Sequence, residues 1–245
     1  MLILLPPSET KTPGGTGAAL NLGDLSFPEL TPRRERIIED LSALPVDDAL
    51  PVLGISEKLR AEAEANRHLL GSPTMPAIHR YSGVLFDALS PATLPPTALR
   101  RLAVGSALFG VLGALDPIPH YRLSGGTRLP AADGSTPTMR ARWGRSISDS
   151  LADIDELVVD LRSGVYQQLG RLPGAVTVRV ESLMPDGSRK VVSHFNKHHK
   201  GELARVLAIS DPGVSSSSEV ADIARSAGMS VEVDDRKRGQ LTLVV

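Results

Sequence analysis

Four short segments carry residue types able to bind or transform a ligand. In Pro6-Pro7-Ser8-Glu9-Thr10-Lys11, hydroxyls, a carboxylate and an ammonium follow a short apolar run. Lys11 could hold a phosphate there, and Glu9 could accept a proton. In Asp160-Leu161-Arg162-Ser163-Gly164-Val165-Tyr166, a buried strand gives way to a helix start. Asp160 and Arg162 share one side of that strand by its period of two, which permits an ion pair. Alternatively, Asp160, Ser163 and Tyr166 point into a cleft at the strand's carboxyl end, where α/β proteins place ligand residues. Ser193-His194-Phe195-Asn196-Lys197-His198-His199-Lys200-Gly201-Glu202 is the densest basic cluster. Lys197 and Lys200, three apart on a helix, can reach one phosphate together, aided by the helix N-terminus. Arg140, Arg142 and Arg145 surround Trp143 and form a second basic patch. Trp143 itself has the spacing of a core residue rather than a stacking platform. Tyr81-Ser82-Gly83 and Tyr121-Arg122 add two phenols and a guanidinium suited to lining a pocket.

Order and composition argue against several mechanisms. Gly14-Gly15-Thr16-Gly17 follows Lys11-Thr12, whereas a P-loop places its glycines before Lys-[Ser/Thr]. Ser163-Gly164 lacks the flanking glycines of a nucleophile elbow. The absence of cysteine removes disulfides, thiolate metal sites and a cysteine nucleophile. His198 and His199 are neighbours and cannot face one metal from a helix, so no metal site and no cofactor is expected. The 27 basic and 28 acidic residues leave a net charge of −1, which excludes a generally basic protein but not a local basic groove. With 41% hydrophobic residues in 245, the chain has ample core for a folded domain. No stretch approaches the roughly 20 apolar residues of a membrane helix, and Met1–Leu5 stops at Pro6-Pro7 too early for a signal peptide. A cytoplasmic protein without membrane contact is the expectation.

The elements that must position these segments are legible from periodicity and punctuation. Leu2–Leu5 and Leu157–Leu161 read as buried strands, and Arg101–Val104 as a strand feeding the run Gly105–Gly110. Helices are predicted over 31–44, 57–70 (capped by Ser56), 77–89, 138–153, 165–169, 197–209 and 219–227, the last capped by the Ser215–Ser218 run. Pro185-Asp186-Gly187-Ser188 predicts a hairpin between strands 175–184 and 189–195, and a final hairpin joins 230–233 to 240–245 with charged Asp234–Arg238 at its tip. Strands and helices alternate, with antiparallel hairpins late. This predicts one mixed α/β (α+β) domain over residues 1–245, a mixed sheet with surrounding helices.

Taken in order, these segments resemble a known family. The start Met1–Lys11 looks like its N-terminal signature. Tyr81-Ser82-Gly83-Val84-Leu85-Phe86, Ser106-Ala107-Leu108-Phe109-Gly110-Val111-Leu112 and Pro119-His120-Tyr121-Arg122-Leu123 look like its central blocks. Asp160–Tyr166 and Phe195–Gly201 look like its later ones. The chain is similar over nearly its whole length to the peroxide stress protein YaaA family (DUF328, UPF0246). The resemblance implies a mixed α/β fold, a part in peroxide resistance by limiting free iron and Fenton damage, and DNA binding through a basic cleft with a helix-hairpin-helix-like element. That element's counterpart here falls around Ser106–Leu115. Its Gly110-Val111-Leu112-Gly113 is one residue longer than the Gly-hydrophobic-Gly hairpin, and no Lys or Arg lies between Leu102 and His120.

Two functional readings follow. In one, Lys197, Lys200, Arg140, Arg142 and Arg145 neutralise the phosphates of nucleic acid. In the other, the chain is an enzyme on a nucleotide, nucleoside or related small phosphorylated ligand. Lys11, Arg122 and Lys197 would then hold the anion, with Ser8, Tyr81, Arg162, Ser163 and Lys200 around it. Glu9 or Asp160 would act as acid/base, and Tyr166 or Asn196 would orient the substrate. The first requires an open groove, the second a single concave site. Direct iron sequestration is disfavoured by the lack of matching His and carboxylate spacing.

Overall fold

A computed structural model of the chain describes residues 1–191, 196–234, 237 and 239–245. Among these, ten strands form: β1 (Leu2–Leu5), β2 (Met75–Pro76), β3 (Leu102–Ser106), β4 (Gly110–Gly113), β5 (Pro117–Ile118), β6 (Val158–Asp160), β7 (Val176–Leu183), β8 (Arg189–Val191), β9 (Ser230–Val233) and β10 (Gln240–Val244). Eight build one mixed sheet in the order β4-β3-β1-β6-β7-β10-β9, with β8 paired to β7; β2 and β5 pair separately. The pairs β3–β1, β1–β6, β6–β7 and β7–β10 are parallel. The pairs β3–β4, β7–β8 and β9–β10 are antiparallel.

The apolar runs chosen as strands are the sheet's centre. Ile3, Leu4, Leu5, Val104 and Val159 are all fully buried, as strands covered on both faces must be. Ile3 aligns with Leu102 on one side and Val159 on the other. The chain leaves β1 toward β3 on one flank, and continues from β6 toward β7 and β10 on the opposite flank. The crevice between the carboxyl ends of β1 and β6 is therefore a topological switch point, the general location for ligands in open α/β sheets.

Eleven α-helices lie among the described residues. The first six are α1 (Thr31–Ala43), α2 (Val46–Leu53), α3 (Arg60–Asn66), α4 (Ala77–Arg80), α5 (Val84–Leu89) and α6 (Pro96–Leu99). The rest are α7 (Met139–Trp143), α8 (Ser146–Ala152), α9 (Gly164–Leu169), α10 (Asn196–Ile209) and α11 (Ser217–Ser226). No described helix is long and apolar enough to cross a membrane.

The mixed α/β architecture and both late hairpins match the expectation, and α11 is capped by Ser216 through the Glu219 N–H. The predicted extension of β8 to Phe195 lies outside the described residues, as do Asp235, Arg236 and Arg238 of the last hairpin's tip. Three predicted helices are broken. The 77–89 segment divides into α4 and α5 because loop 8–12 anneals alongside it: Thr12 N–H donates to Arg80 O and Ser82 N–H to Thr10 O. Gly83, at φ 98°, makes the turn. The 138–153 segment breaks at Gly144, but Trp143, Ile147 and Leu151 are buried as their spacing implied. The 57–70 segment keeps only α3 as α-helix, flanked by single 3-10 turns.

The implied helix-hairpin-helix counterpart is also corrected. Residues 102–113 form the β3–β4 hairpin, with Gly105 opposite Val111 and Ser106 opposite Gly110. Backbone N–H groups used in this ladder are not free to bind a phosphate. Arg34 of α1 locks the hairpin by donating to Phe109 O and Val111 O, so it is a structural cation.

Helices α10 and α5 approach at Gly201, where a Cβ would stand 2.3 Å from Leu85 O and 2.8 Å from Ala88 Cβ. The first neighbour is backbone and cannot yield without moving α5. Gly201→Ala should therefore destabilise the fold by about 1–3 kcal/mol, despite alanine's better helix propensity. Urea denaturation checks it; an unchanged midpoint would show that the helices part freely.

Candidate functional site

The loop after β1 and the loop after β6 enclose a crevice of about 750 Å³. Pro6, Pro7 and Glu9 come from the first; Leu161, Arg162 and Ser163 come from the second, with Gly164, Val165, Tyr166 and Gln167 of α9. Thr177, Val178 and Arg179 of β7 and Gln240 of β10 form part of its wall, because these strands run on beside the end of β6. Asn196, Lys197 and Lys200 enter from the first turns of α10, and Ser124-Gly125-Gly126 closes the rim. Four cations and one carboxylate line the crevice.

The second loop is held by a buried ion pair. Asp160 is 3% exposed and Arg162 is 2% exposed. Arg162 Nε donates to Asp160 Oδ1 at 2.9 Å and its second guanidinium nitrogen to Oδ2 at 2.8 Å. The Arg162 N–H adds a third bond to Oδ1, and the guanidinium reaches Gly170 O at 2.7 Å beyond α9. Gly105 of β3 leaves room for this arginine, since a Cβ there would meet Arg162 Cδ at 2.8 Å. The ion-pair alternative is what forms. Three bonds from Arg162 occupy the Asp160 carboxylate, whose geometry is that of an anchor.

The first loop is held from the opposite side. Arg122 pairs with Glu9 Oε2 at 3.0 Å and donates to Glu9 O at 3.2 Å. Arg122 is itself fixed by Asn66: its N–H donates to Asn66 Oδ1 and its carbonyl accepts from Asn66 Nδ2, both at 2.8 Å. This two-point amide bridge sits at the last residue of α3. Glu9 is thus placed at the crevice with its charge balanced.

Lys11 and Tyr81 lie behind the crevice, not in it. Lys11 is 8% exposed and its Nζ stands 4.3 Å from the centre of the Tyr121 ring. It donates to Ser8 O and Glu9 O. Burial pushes its pKa down to about 8, against the opposing pull of Glu9. The Tyr81 and Tyr121 hydroxyls bond at 2.8 Å, and Tyr121 continues to Ser106 Oγ at 2.8 Å. Burial raises both phenols, Tyr81 to about 12, so they remain protonated donors. Ser8 is likewise committed to loop bonds, donating to Thr10 O and accepting from Ser82 N–H.

Lys197 and Lys200 both reach the crevice but differ in state. Lys200 is buried, donates to Leu161 O at 3.2 Å, and has its pKa lowered by desolvation, with Asp160 opposing. It supports the second loop rather than sharing a phosphate with Lys197. Lys197 is exposed and makes no ion pair or hydrogen bond among the described residues. Asn196 Oδ1 is buried and has no partner there. Tyr166 lines the wall and accepts from Gly125 N–H at 3.2 Å; burial, then Glu9, raises its pKa.

The arginine patch does not join this site. Arg142 pairs with Asp40 at 2.5 Å and donates to Leu129 O and Pro130 O. Arg145 is exposed and pairs with Asp149, and Arg140 is exposed on α7. Trp143 is fully buried, its Nε1 donating to Ala107 O. Thr177, Arg179, Gln167 and Gln240 of the crevice, and Asn66 behind it, were not singled out by the sequence; Tyr121, read as a pocket-lining phenol, instead lies buried behind the crevice. Among the described residues, no group of three or more His, Asp or Glu side chains could hold a metal ion.

The fold and crevice define a mixed α/β protein with a cation-lined cleft at a switch point of its sheet. Comparison with known proteins names the group: the family model described as peroxide stress protein YaaA matches residues 1–231, and the chain belongs to that family. Similar chains include a UPF0246 protein of Corynebacterium efficiens, 70% identical with both chains fully covered. Another, from Streptomyces coelicolor, is 39% identical over 98% of this chain and 95% of its own. A third, from Shewanella woodyi, is 29% identical over 84% and 86% respectively.

Two outcomes test this anatomy. Asp160→Ala strands a buried guanidinium and should destabilise the protein by about 3–5 kcal/mol in urea titration; a cost under about 1 kcal/mol would refute the anchoring role. Lys11 loses its proton near pH 8 when folded but near 10.5 when unfolded. Between those values the unfolded chain binds more protons, so stability rises with pH, by up to about 1.4 kcal/mol per unit. Lys11→Met should flatten that rise in melting curves from pH 8 to 10.5, and an unaltered slope would contradict it.

Proposed function

We propose that this YaaA-family protein works by binding a nucleotide or related small phosphorylated ligand in the switch-point crevice. One observation carries the reading. Glu9, Arg162, Ser163, Tyr166, Asn196, Lys197 and Lys200, drawn from segments far apart in the chain, line one concave site. A duplex groove would instead need the arginines of α7 and its neighbourhood to continue this surface, and they are paired or lie elsewhere.

Lys197 is the primary anion contact in this reading, since the other cations of the crevice have protein partners. Asn196 Oδ1, without a partner, is suited to an N–H of the ligand; leaving such an atom unmet in a buried place costs about 1–3 kcal/mol. Val165, Val178 and Pro7 offer apolar surface for a ring. Glu9 is the candidate acid/base, and Tyr166 positions rather than ionises.

Nucleic-acid binding, with protection from Fenton damage as its purpose, is the second reading. It is favoured by the excess of cations over carboxylates around an open crevice, which could accept a nucleotide from a single strand. Isothermal titration with AMP, GMP and an oligothymidylate, at low and at physiological salt, tests both. Lys197→Ala should weaken mononucleotide binding about tenfold or more, as expected for loss of one charge-assisted bond. Binding of the oligonucleotide alone, with steep salt dependence, would replace the first reading by the second. Binding of none of the three would refute both.

A further inference from the structure

Beside the main crevice lies a smaller cavity of about 200 Å³. Its walls include Ser8, Thr10, Ser82, Gly83 and Phe86. Pro6, Pro7, Glu9 and Lys197 line both cavities, so the two meet along the first loop and the Lys197 side chain. The larger cavity has room for a base and sugar. The smaller does not, but it admits a compact polar group.

Its chemistry favours an anion. Glu9 is the one carboxylate in its wall, and Arg122 balances that charge. Lys197 is unpaired among the described residues. The Ser8 hydroxyl is already committed at both ends, to Thr10 O and Ser82 N–H. The hydroxyls of Thr10 and Ser82 make no hydrogen bond among the described residues, which leaves two neutral donors beside one free cation. Hydroxyls and an ammonium converging on a small cavity are a phosphoryl site in chemical terms.

We propose that the small cavity is a second phosphoryl subsite, and that Lys197, standing where the cavities meet, selects ligands with two consecutive phosphoryl groups. The inference rests on the reading of the main crevice as a nucleotide site. In it, the first phosphoryl group sits at the junction and the second enters between Thr10 and Ser82. A nucleoside diphosphate fits this arrangement. In a dinucleotide the second phosphate is separated from the first by a whole sugar, and that length does not fit the small cavity.

Titration with AMP, ADP and the dinucleotide pTpT decides it, using the wild-type chain, Ser82→Leu to fill the cavity, and Thr10→Val to remove one hydroxyl without changing shape. The wild type should bind ADP at least about tenfold tighter than AMP, and pTpT without that gain. Ser82→Leu should bring the ADP-to-AMP ratio close to one, and Thr10→Val should reduce it several-fold. Equal affinity of the wild type for AMP and ADP would overturn the subsite while leaving the nucleotide crevice standing. So would a preference untouched by both variants, or pTpT binding as tightly as ADP. Failure of every probe to bind would overturn the crevice reading and the subsite together.

Discussion

Burying a carboxylate and a guanidinium side by side is tolerable only when each satisfies the other and the remaining donors find acceptors. Asp160 and Arg162 meet that condition, and much of the crevice follows from it. The pair bends the chain out of β6, and its reach to Gly170 fixes α9, which supplies Tyr166 and Gln167. Room for the arginine is made on β3, two strands away, by Gly105. One wall of the site is thus determined by packing in the centre of the sheet. The other wall, loop 6–11, is held through Arg122 and Asn66 from the helical layer. Both loops are tied by bonds to other parts of the chain.

A second consequence concerns charge. The crevice is rich in cations, but most of them are spoken for: Arg162 by Asp160, Arg179 by Glu181, Lys200 by a carbonyl. Arg162 and Arg179 are neutralised by their carboxylates, and none of the three side chains is free to move. Lys197 is the exception, on the first turn of α10 and in solvent.

Much of this was legible in the residues, and the limits have physical causes. The strands at the sheet's centre and the hairpin at Pro185–Ser188 depend on local periodicity and turn chemistry, so they could be read directly. The loops after β1 and β6 announced themselves by polar residues at the ends of apolar runs. Asp160 with Arg162 was visible as a period-two pair, though not which of its two roles would prevail. Thr177, Arg179 and Gln240 could not be found, because nothing local states that β7 and β10 lie next to β6. Asn66 looked like an ordinary helical residue, since its partner is in a loop distant in sequence. The helices over 77–89 and 138–153 were drawn too long for a related reason. A glycine inside a helix costs only about 1 kcal/mol, so whether it breaks the helix is decided by what packs alongside.

The central place of β1 has a consequence for how the molecule is made. Its four apolar residues find neither neighbour nearby in the chain: one side waits for Leu102–Val104, the other for Val158–Asp160. Parallel pairings of such separation form slowly, because the intervening chain must be closed before any contact rewards it. During synthesis the Leu2–Leu5 segment emerges well before either partner, as an uncharged and β-prone stretch with open edges. Segments of that kind are where nascent chains associate wrongly. Pro6-Pro7, which end the strand and open the first loop of the crevice in the finished protein, also stop that sticky stretch from growing longer. The same two residues serve the crevice after folding and act as gatekeepers before it.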